Sequence, residues 1–350
     1  MESWVRQLLI WYYEEKRDLP WRENKDPYRI WLSEIMLQQT KVITVKAYFK
    51  RFTERFESVD TLASASEDEV LKLWEGLGYY TRARNLIKCA RIVGEVYDGK
   101  FPETYKALLQ LPGIGPYTAG AIASIAYDER VPAVDGNVMR VIARYFQLDY
   151  DLSASRTTRR FFDLLLPYIP EEAGDFNQAL MELGATICIP KQPLCSMCPL
   201  VGDCKAFRTG TVLSYPVKSK RIHQKPVPIC MAQIFVKDKR LLTRQVEEKL
   251  LQGLWVLPYE EMMPDQKLFR RKLEEAYSIT LDEGYVTGHY VHIYTHLKWQ
   301  ITLYVFEATK AYEIDFPEVK WVTEQERKLL ALPKVVQKAF DIGSTRKDVQ

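Results

Sequence analysis

No stretch of this chain approaches the ~20 consecutive apolar residues of a membrane-spanning helix. Its first residues, Met1-Glu-Ser-Trp-Val-Arg6, lead to Glu14 and Glu15 and read as an amphipathic helix, not a signal peptide. The expected location is therefore the cytosol, where disulfides are disfavoured. Excess charge is lacking as well. Lys and Arg total 49 against 46 Asp and Glu, a net charge of +3. That excludes a chain-wide basic footprint, so any contact with nucleic acid must be local. Arg156 to Arg160 and Lys218 to Lys225 are the two basic runs, and each reads equally as a solvated face. Histidine is scarce: only His223, His289, His292 and His296, all in the C-terminal part. The last three are closely spaced, but a strand would not put them on one face to hold a metal. There is neither βαβ alternation nor an internal repeat.

What is present is ordinary in bulk: 350 residues, 47% hydrophobic and 27% charged. That length suffices for two domains and a sizeable core. Up to about residue 206 the chain reads as almost all helix. Trp4, Leu8, Leu9, Trp11 and Tyr12 fall at helical spacing. Leu19-Pro-Trp-Arg22 breaks that helix, and Asp26-Pro27 caps the next, from Tyr28 to about Gln39. Further helices are expected near 46–56, 67–74, 81–97, 104–109, 116–127, 137–147, 156–167 and 175–187. Residues 207–225 form a polar linker. Beyond it come two hairpins, 229–245 and 289–307, with a helix at 269–277 between them, so the second domain is α+β.

The stretch Leu111-Pro-Gly-Ile-Gly115 is too tight for helix. Pro112 presets one φ, and Gly113 and Gly115 permit positive φ and close backbone approach. Pro116 suits a first helical position, and the small residues from Thr118 to Ser124 allow close helix packing. A turn followed by a helix N-terminus is an anion site. No side chain there reads a base, so DNA phosphate is the expected anion. The alternative is a simple packing joint between two helices.

Glu34 lies on an apolar helix face with Ile30, Trp31 and Leu37, and has no Lys or Arg at i±3 or i±4. Unless the helix turns it to solvent, its pKa should rise, as a general acid needs near neutrality. Asp135 precedes Gly136-Asn137 and an apolar helix, a plain N-cap position. There the helix dipole is expected to keep it ionised. Two carboxyls tuned in opposite directions suit glycosidic cleavage: one protonates the leaving group and the other meets the oxocarbenium ion. Beside an anion-binding hairpin, this suggests cleavage on a nucleic acid.

Four of the six cysteines, Cys188, Cys195, Cys198 and Cys204, are separated by six, two and five residues. Cys89 and Cys230 sit in apolar contexts as buried thiols. A tight four-cysteine group in the cytosol means zinc or an iron–sulfur cluster. Zinc knuckles use paired Cys-x-x-Cys. Only one such pair occurs, which tilts the reading to a cluster.

Together these residues resemble the helix–hairpin–helix glycosylase superfamily and, within it, the adenine DNA glycosylase (MutY) family. The resemblance covers nearly the whole chain. It rests on Ser33-Glu-Ile-Met-Leu-Gln-Gln-Thr40, Gly76-Leu-Gly-Tyr-Tyr80, the hairpin with Tyr117, Val134-Asp-Gly-Asn137 and the cysteine spacing. It implies a helical domain over 1–206, with a six-helix part at about 28–134 and a cluster part made of 1–27 and 135–206. A 4Fe-4S cluster on Cys188, Cys195, Cys198 and Cys204 is implied too. The family removes adenine mispaired with 8-oxoguanine or guanine in duplex DNA during base excision repair. By resemblance Glu34 protonates the extruded adenine, Asp135 stabilises the cation or its adduct, and Tyr117 and Asn137 support the sugar side. Arg22 and Gln178 match positions lining the adenine pocket. Leu37, Gln39 and Tyr79 match residues that enter the DNA stack near the lesion, consistent with base flipping.

Residues 226–345 resemble the family's MutT-like (Nudix-like) recognition domain, through Gly253-Leu-Trp-Val-Leu-Pro258. Lys272-Leu-Glu-Glu275 is at best a remnant of the Nudix metal box, so no pyrophosphatase activity is expected. Tyr294, Thr295 and His296 stand where the family reads 8-oxoguanine with Phe-Ser-His. Endonuclease III-like lyases carry a Schiff-base Lys after the hairpin. Here Pro116-Tyr117 stands there, so a monofunctional glycosylase is expected, with duplex DNA as partner and no obligate oligomer. The rivals are an endonuclease III-type lyase, which Tyr117 disfavours, and a non-catalytic cluster-bearing DNA binder, which would need neither Glu34 nor Asp135.

Overall fold

The computed structural model describes residues 1–219, 223–246, 250–311 and 316–344. Residues 220–222 of the second basic run, and position 345, lie outside the described residues. By spatial contacts the chain divides into two units: Met1–Ala65 with Asn85–Arg221, and Ser66–Arg84 with Ile222–Gln350. Among the described residues no helix is long and apolar enough to cross a membrane.

The first unit is helical. Helix α1 (Ser3–Glu15) buries Trp4, Leu8 and Tyr12, the stripe read from its spacing. α2 (Pro27–Leu37) starts where expected: the Asp26 side chain accepts from the Tyr28 N–H, and Pro27 opens the helix. From Ile30 to Met36 every residue of α2 is buried, so it runs through the interior. α3 (Val42–Arg55) and the short α4 (Val59–Ala63) follow. α5 (Glu67–Trp74) belongs to the second unit, and α6 (Thr81–Tyr97) begins there and continues in the first. After α7 (Tyr105–Leu108) comes α8 (Pro116–Tyr127), and then α9 (Gly136–Phe146), α10 (Thr157–Leu165), α11 (Ala173–Thr186) and α12 (Lys205–Arg208). Trp4, Leu8 and Tyr12 of α1 pack with Val138 and Ile142 of α9, Phe161 of α10, and Phe176 and Leu180 of α11.

The small residues of α8 serve close approach. A Cβ added at Gly120 would stand 2.4 Å from the Pro132 carbonyl oxygen, so the extended segment 131–134 lies directly against this helix. Asn177 of α11, fully buried, ties the same segment down. It accepts from the Ala133 N–H at 3.0 Å and donates to the Val131 carbonyl at 2.9 Å. The chain is thus fixed just before it reaches Asp135.

The second unit holds eight strands among its described residues: β1 (Lys225–Val236), β2 (Lys239–Arg244), β3 (Trp255–Val256), β4 (Tyr259–Glu261), β5 (Ile279–Leu281), β6 (Tyr285–Ile293), β7 (Leu297–Ala311) and β8 (Val319–Val322). Both expected hairpins form: β1 pairs antiparallel with β2 from Val236↔Lys239, and β6 with β7 from Ile293↔Lys298. The sheet is nevertheless mixed, because β1 lies parallel to β7 along Lys225↔Leu297 to Phe235↔Glu307. Helices cover both faces. Cys230, Ala232 and Ile234 meet Phe269 and Leu273 of α13 (Gln266–Tyr277). On the other side Gln233 donates to the Ala339 carbonyl and Tyr290 to that of Val335, both in α15 (Lys334–Ser344). Central β1 is therefore buried on both faces from Ile229 to Ile234, which is why its sequence does not alternate. Between β8 and α15, α14 (Glu324–Arg327) carries a capping box on Thr323.

Residues 66–84 are grouped by their contacts with the second unit. Asp68 pairs with Arg244 at 2.6 Å, and Lys72 donates to the Leu330 carbonyl at 3.0 Å. Glu75 accepts from the Leu332 N–H at 2.9 Å and from Gln337 at 3.0 Å.

Candidate active site

Five segments of the first unit converge on one cavity of about 940 Å³. α2 supplies Glu34 and Leu37, and Gln39 follows it with φ 59°. The hairpin and the first turn of α8 supply Gly113, Gly115 and Tyr117. The start of α9 brings Asp135 and Asn137. Arg22 comes from the turn after α1, and Gln178 from α11.

Glu34 is 5% exposed, so its helix does not turn it to solvent. The Tyr117 hydroxyl donates to Glu34 Oε2 at 2.5 Å. Burial pushes the Glu34 carboxyl up to about 7; the Tyr117 hydrogen bond and the Arg22 charge resist, and the Asp135 charge adds to the rise. Tyr117, partly buried at the cavity wall and beside this carboxyl, is held well above its ordinary range by desolvation and the Glu34 charge and stays a hydrogen-bond donor.

Asp135 caps α9. Its Oδ1 accepts from the Val138 N–H and its Oδ2 from Asn137 Nδ2, both at 2.7 Å. Arg140 continues the chain: it donates to Asn137 Oδ1 at 2.8 Å, to the Gly184 carbonyl at 2.7 Å and to the Cys188 carbonyl at 2.8 Å. The expected opposite tuning needs correction. Burial raises the Asp135 carboxyl above its ordinary value, and the bonds from Val138 and Asn137, with the Arg140 charge, hold it back only in part. The cap is in place, but desolvation of the Asp135 carboxyl outweighs it.

The four cysteines line a second, small pocket with Ile187, Pro193, Val201, Phe207 and Val212. Beside it, buried Arg144 donates to Cys188 Sγ at 3.3 Å and to the carbonyls of Ile189, Pro190 and Tyr215. Among the described residues no three His, Cys, Asp or Glu are arranged to hold a single metal ion.

The remaining expected residues lie in the second unit. The turn between β6 and β7 carries Tyr294, Thr295 and His296. Thr295 and His296 are exposed, and Thr295 Oγ1 stands 3.2 Å from the Tyr79 hydroxyl. Tyr79, with φ 50°, is half exposed. The Tyr294 ring packs edge-on against Trp299 and His292.

Residues 32–167 match the family model of the HhH-GPD superfamily base excision DNA repair proteins, and residues 230–341 match that of the NUDIX domain. An adenine DNA glycosylase of Rattus norvegicus is 34% identical over 397 residues, spanning 96% of this chain and 77% of that one. The chain belongs to the adenine DNA glycosylase family. Another member, from Buchnera aphidicola of Schizaphis graminum, is 32% identical over 96% of this chain and 97% of its own. A thermostable thymine-DNA glycosylase structure superposes on 59% of this chain and 95% of its own, with a TM-score of 0.54 and 31% identity.

In this family member, sequence reasoning passed over Arg17, Arg140, Glu182 and Gly184, all close to the cavity. Helical spacing offered one signal. Gln178 and Glu182 are four apart on α11 and so share a face.

Proposed function

We propose that this chain excises adenine from duplex DNA, at mispairs with 8-oxoguanine or guanine, as a monofunctional N-glycosylase. The observation that carries this is a buried Glu34 with its carboxyl raised to about 7, in one cavity with the capped Asp135. With adenine swung out of the helix into that cavity, protonated Glu34 gives its proton to the base. The C1′–N9 bond breaks with its electron pair leaving on the purine. Ionised Asp135 stabilises the oxocarbenium ion or closes on it as an adduct, and water completes the hydrolysis. Tyr117 holds Glu34 in place, Asn137 holds Asp135, and Arg22 and Gln178 line the base pocket. Leu37 and Gln39 enter the stack on one side.

Gly113 has φ 76°, and a Cβ at Gly115 would meet nothing within 4 Å, so the hairpin backbone is open to a DNA phosphate. No lysine follows the hairpin to form a Schiff base. Tyr79 enters the stack near the lesion, and Tyr294, Thr295 and His296 read the base opposite; the 3.2 Å approach of the Tyr79 hydroxyl to Thr295 supports this. The cysteine spacing, with a single Cys-x-x-Cys pair, and the gathering of all four cysteines round one small pocket support a 4Fe-4S cluster. Cys188, Cys195, Cys198 and Cys204 would hold it, and it would supply a rigid brace for the loop after α11.

The test is single-turnover base release on duplexes with adenine opposite 8-oxoguanine, guanine, cytosine or thymine, with a borohydride arm. Release is expected fastest opposite 8-oxoguanine, then guanine, with no trapped adduct. Release of oxidised pyrimidines with efficient trapping would establish the lyase instead.

Gly184 supplies a second check on the pocket. A Cβ there would stand 2.6 Å from Asn137 Cβ, so Gly184→Ala should push the start of α9 and loosen Asp135. A displacement of this size is expected to slow release by about 10²-fold. Duplex affinity should change little, and titration binding beside single-turnover kinetics separates the two.

A further inference from the structure

We propose that Glu182 is a positioning residue of this reaction: its carboxylate locks the Arg22 guanidinium into the pocket wall and offsets its charge beside Glu34. This rests on Glu34 being the proton donor, as assigned above. Gln178, Met181, Glu182 and Ala185 form one face of α11, and that face lines the cavity. Glu182 is 1% exposed, and both of its oxygens are engaged. Oε1 accepts from Arg17 Nε at 2.5 Å, and Oε2 accepts from Arg17 Nη2 at 3.0 Å and from Arg22 Nη2 at 2.8 Å. Arg22 Nη1 donates in turn to the Arg17 carbonyl at 3.2 Å, and the guanidinium lies over the Tyr12 ring. Arg22 is thus held at both terminal nitrogens.

Burial by itself would raise the Glu182 carboxyl, but Arg17 and Arg22 hold it below its ordinary value, so it works as the anion. Two guanidiniums against one carboxylate leave a single positive charge. Glu34 is faced by Tyr117 from α8, Asp135 from the start of α9 and Arg22 from this group. Removing the Glu182 charge leaves two guanidiniums, partly exposed Arg17 and the more enclosed Arg22, with no carboxylate between them. Arg22 then turns its full charge on Glu34 and favours the ionised form, which cannot donate.

The experiment is the pH dependence of single-turnover adenine release. Glu182→Gln is expected to move the alkaline limb down by about one pH unit, costing about tenfold in rate above it. Glu182→Asp, which keeps the charge, should restore most of the limb. Arg17→Gln removes a positive charge at the outer edge and should move the limb up, which keeps the test decisive if Glu182→Gln does not fold. A merely structural Glu182 would lower thermal stability and leave the limb in place, and that result overturns the proposal. A wild-type profile with no limb sensitive to Glu34→Gln would instead remove the Glu34 assignment.

Discussion

Glu34→Gln is expected to slow adenine release by about 10²–10⁴-fold, the range a positioned acid contributes, while duplex affinity stays near that of the wild type. Gln fills the same space and can still accept from Tyr117, but it carries no proton to give. The same substitution should stabilise the fold in alkali. Glu34 has a folded-state pKa near 7 against an ordinary 4.5. A carboxyl raised on folding contributes most below its unfolded value, and that contribution is lost as pH rises through the folded one. Above about pH 7 the wild type therefore keeps a buried carboxylate at a cost of up to about 3 kcal/mol. Glu34→Gln removes that cost. Denaturant melts at pH 8 should show the variant more stable than wild type, and the gap should close towards pH 5. Two outcomes would count against this account: turnover retained in the variant, or a stability gap that does not depend on pH.

Asp135→Asn is expected to reduce single-turnover release by about 10²–10³-fold, the loss typical of one preorganised electrostatic contact. The side chain faces two donors, the Val138 N–H and Asn137 Nδ2. A carboxylate accepts both, whereas an amide has one acceptor oxygen and sets its NH₂ against the other donor. Asn still caps a helix well, so the fold should lose only about 1 kcal/mol, one hydrogen bond. The variant should fold, bind duplex and fail at the chemical step. Kinetics within tenfold of wild type would leave Asp135 as a helix cap and nothing more.

Much of this was open to a reading of the chain alone, where the information is local. Asp26-Pro27 marks a helix start because capping involves neighbours in sequence. The stripe from Trp4 to Tyr12 marks a buried face because its period is set by the helix itself. The environment of each carboxyl was only half open. Ile30, Trp31 and Leu37 announce that Glu34 is costly to ionise. They cannot announce that a hydroxyl 83 positions away will settle on it. The Asp135 cap was legible and its burial was not, so the direction of its shift was misjudged. Segment 66–84 reads as one more helix among helices. Its ion pair with Arg244, 176 positions on, is invisible until the chain is folded.

The sequence by itself determined the helices and hairpins, the apolar setting of Glu34, the open glycine turn and the cysteine spacing, because each depends on residues within a few positions. Only the tertiary structure decided how far each carboxyl is raised, which arginines Glu182 holds, and that Tyr79 meets Thr295. Electrostatic energies and hydrogen bonds follow distance in space, and the chain brings together groups that its order keeps apart.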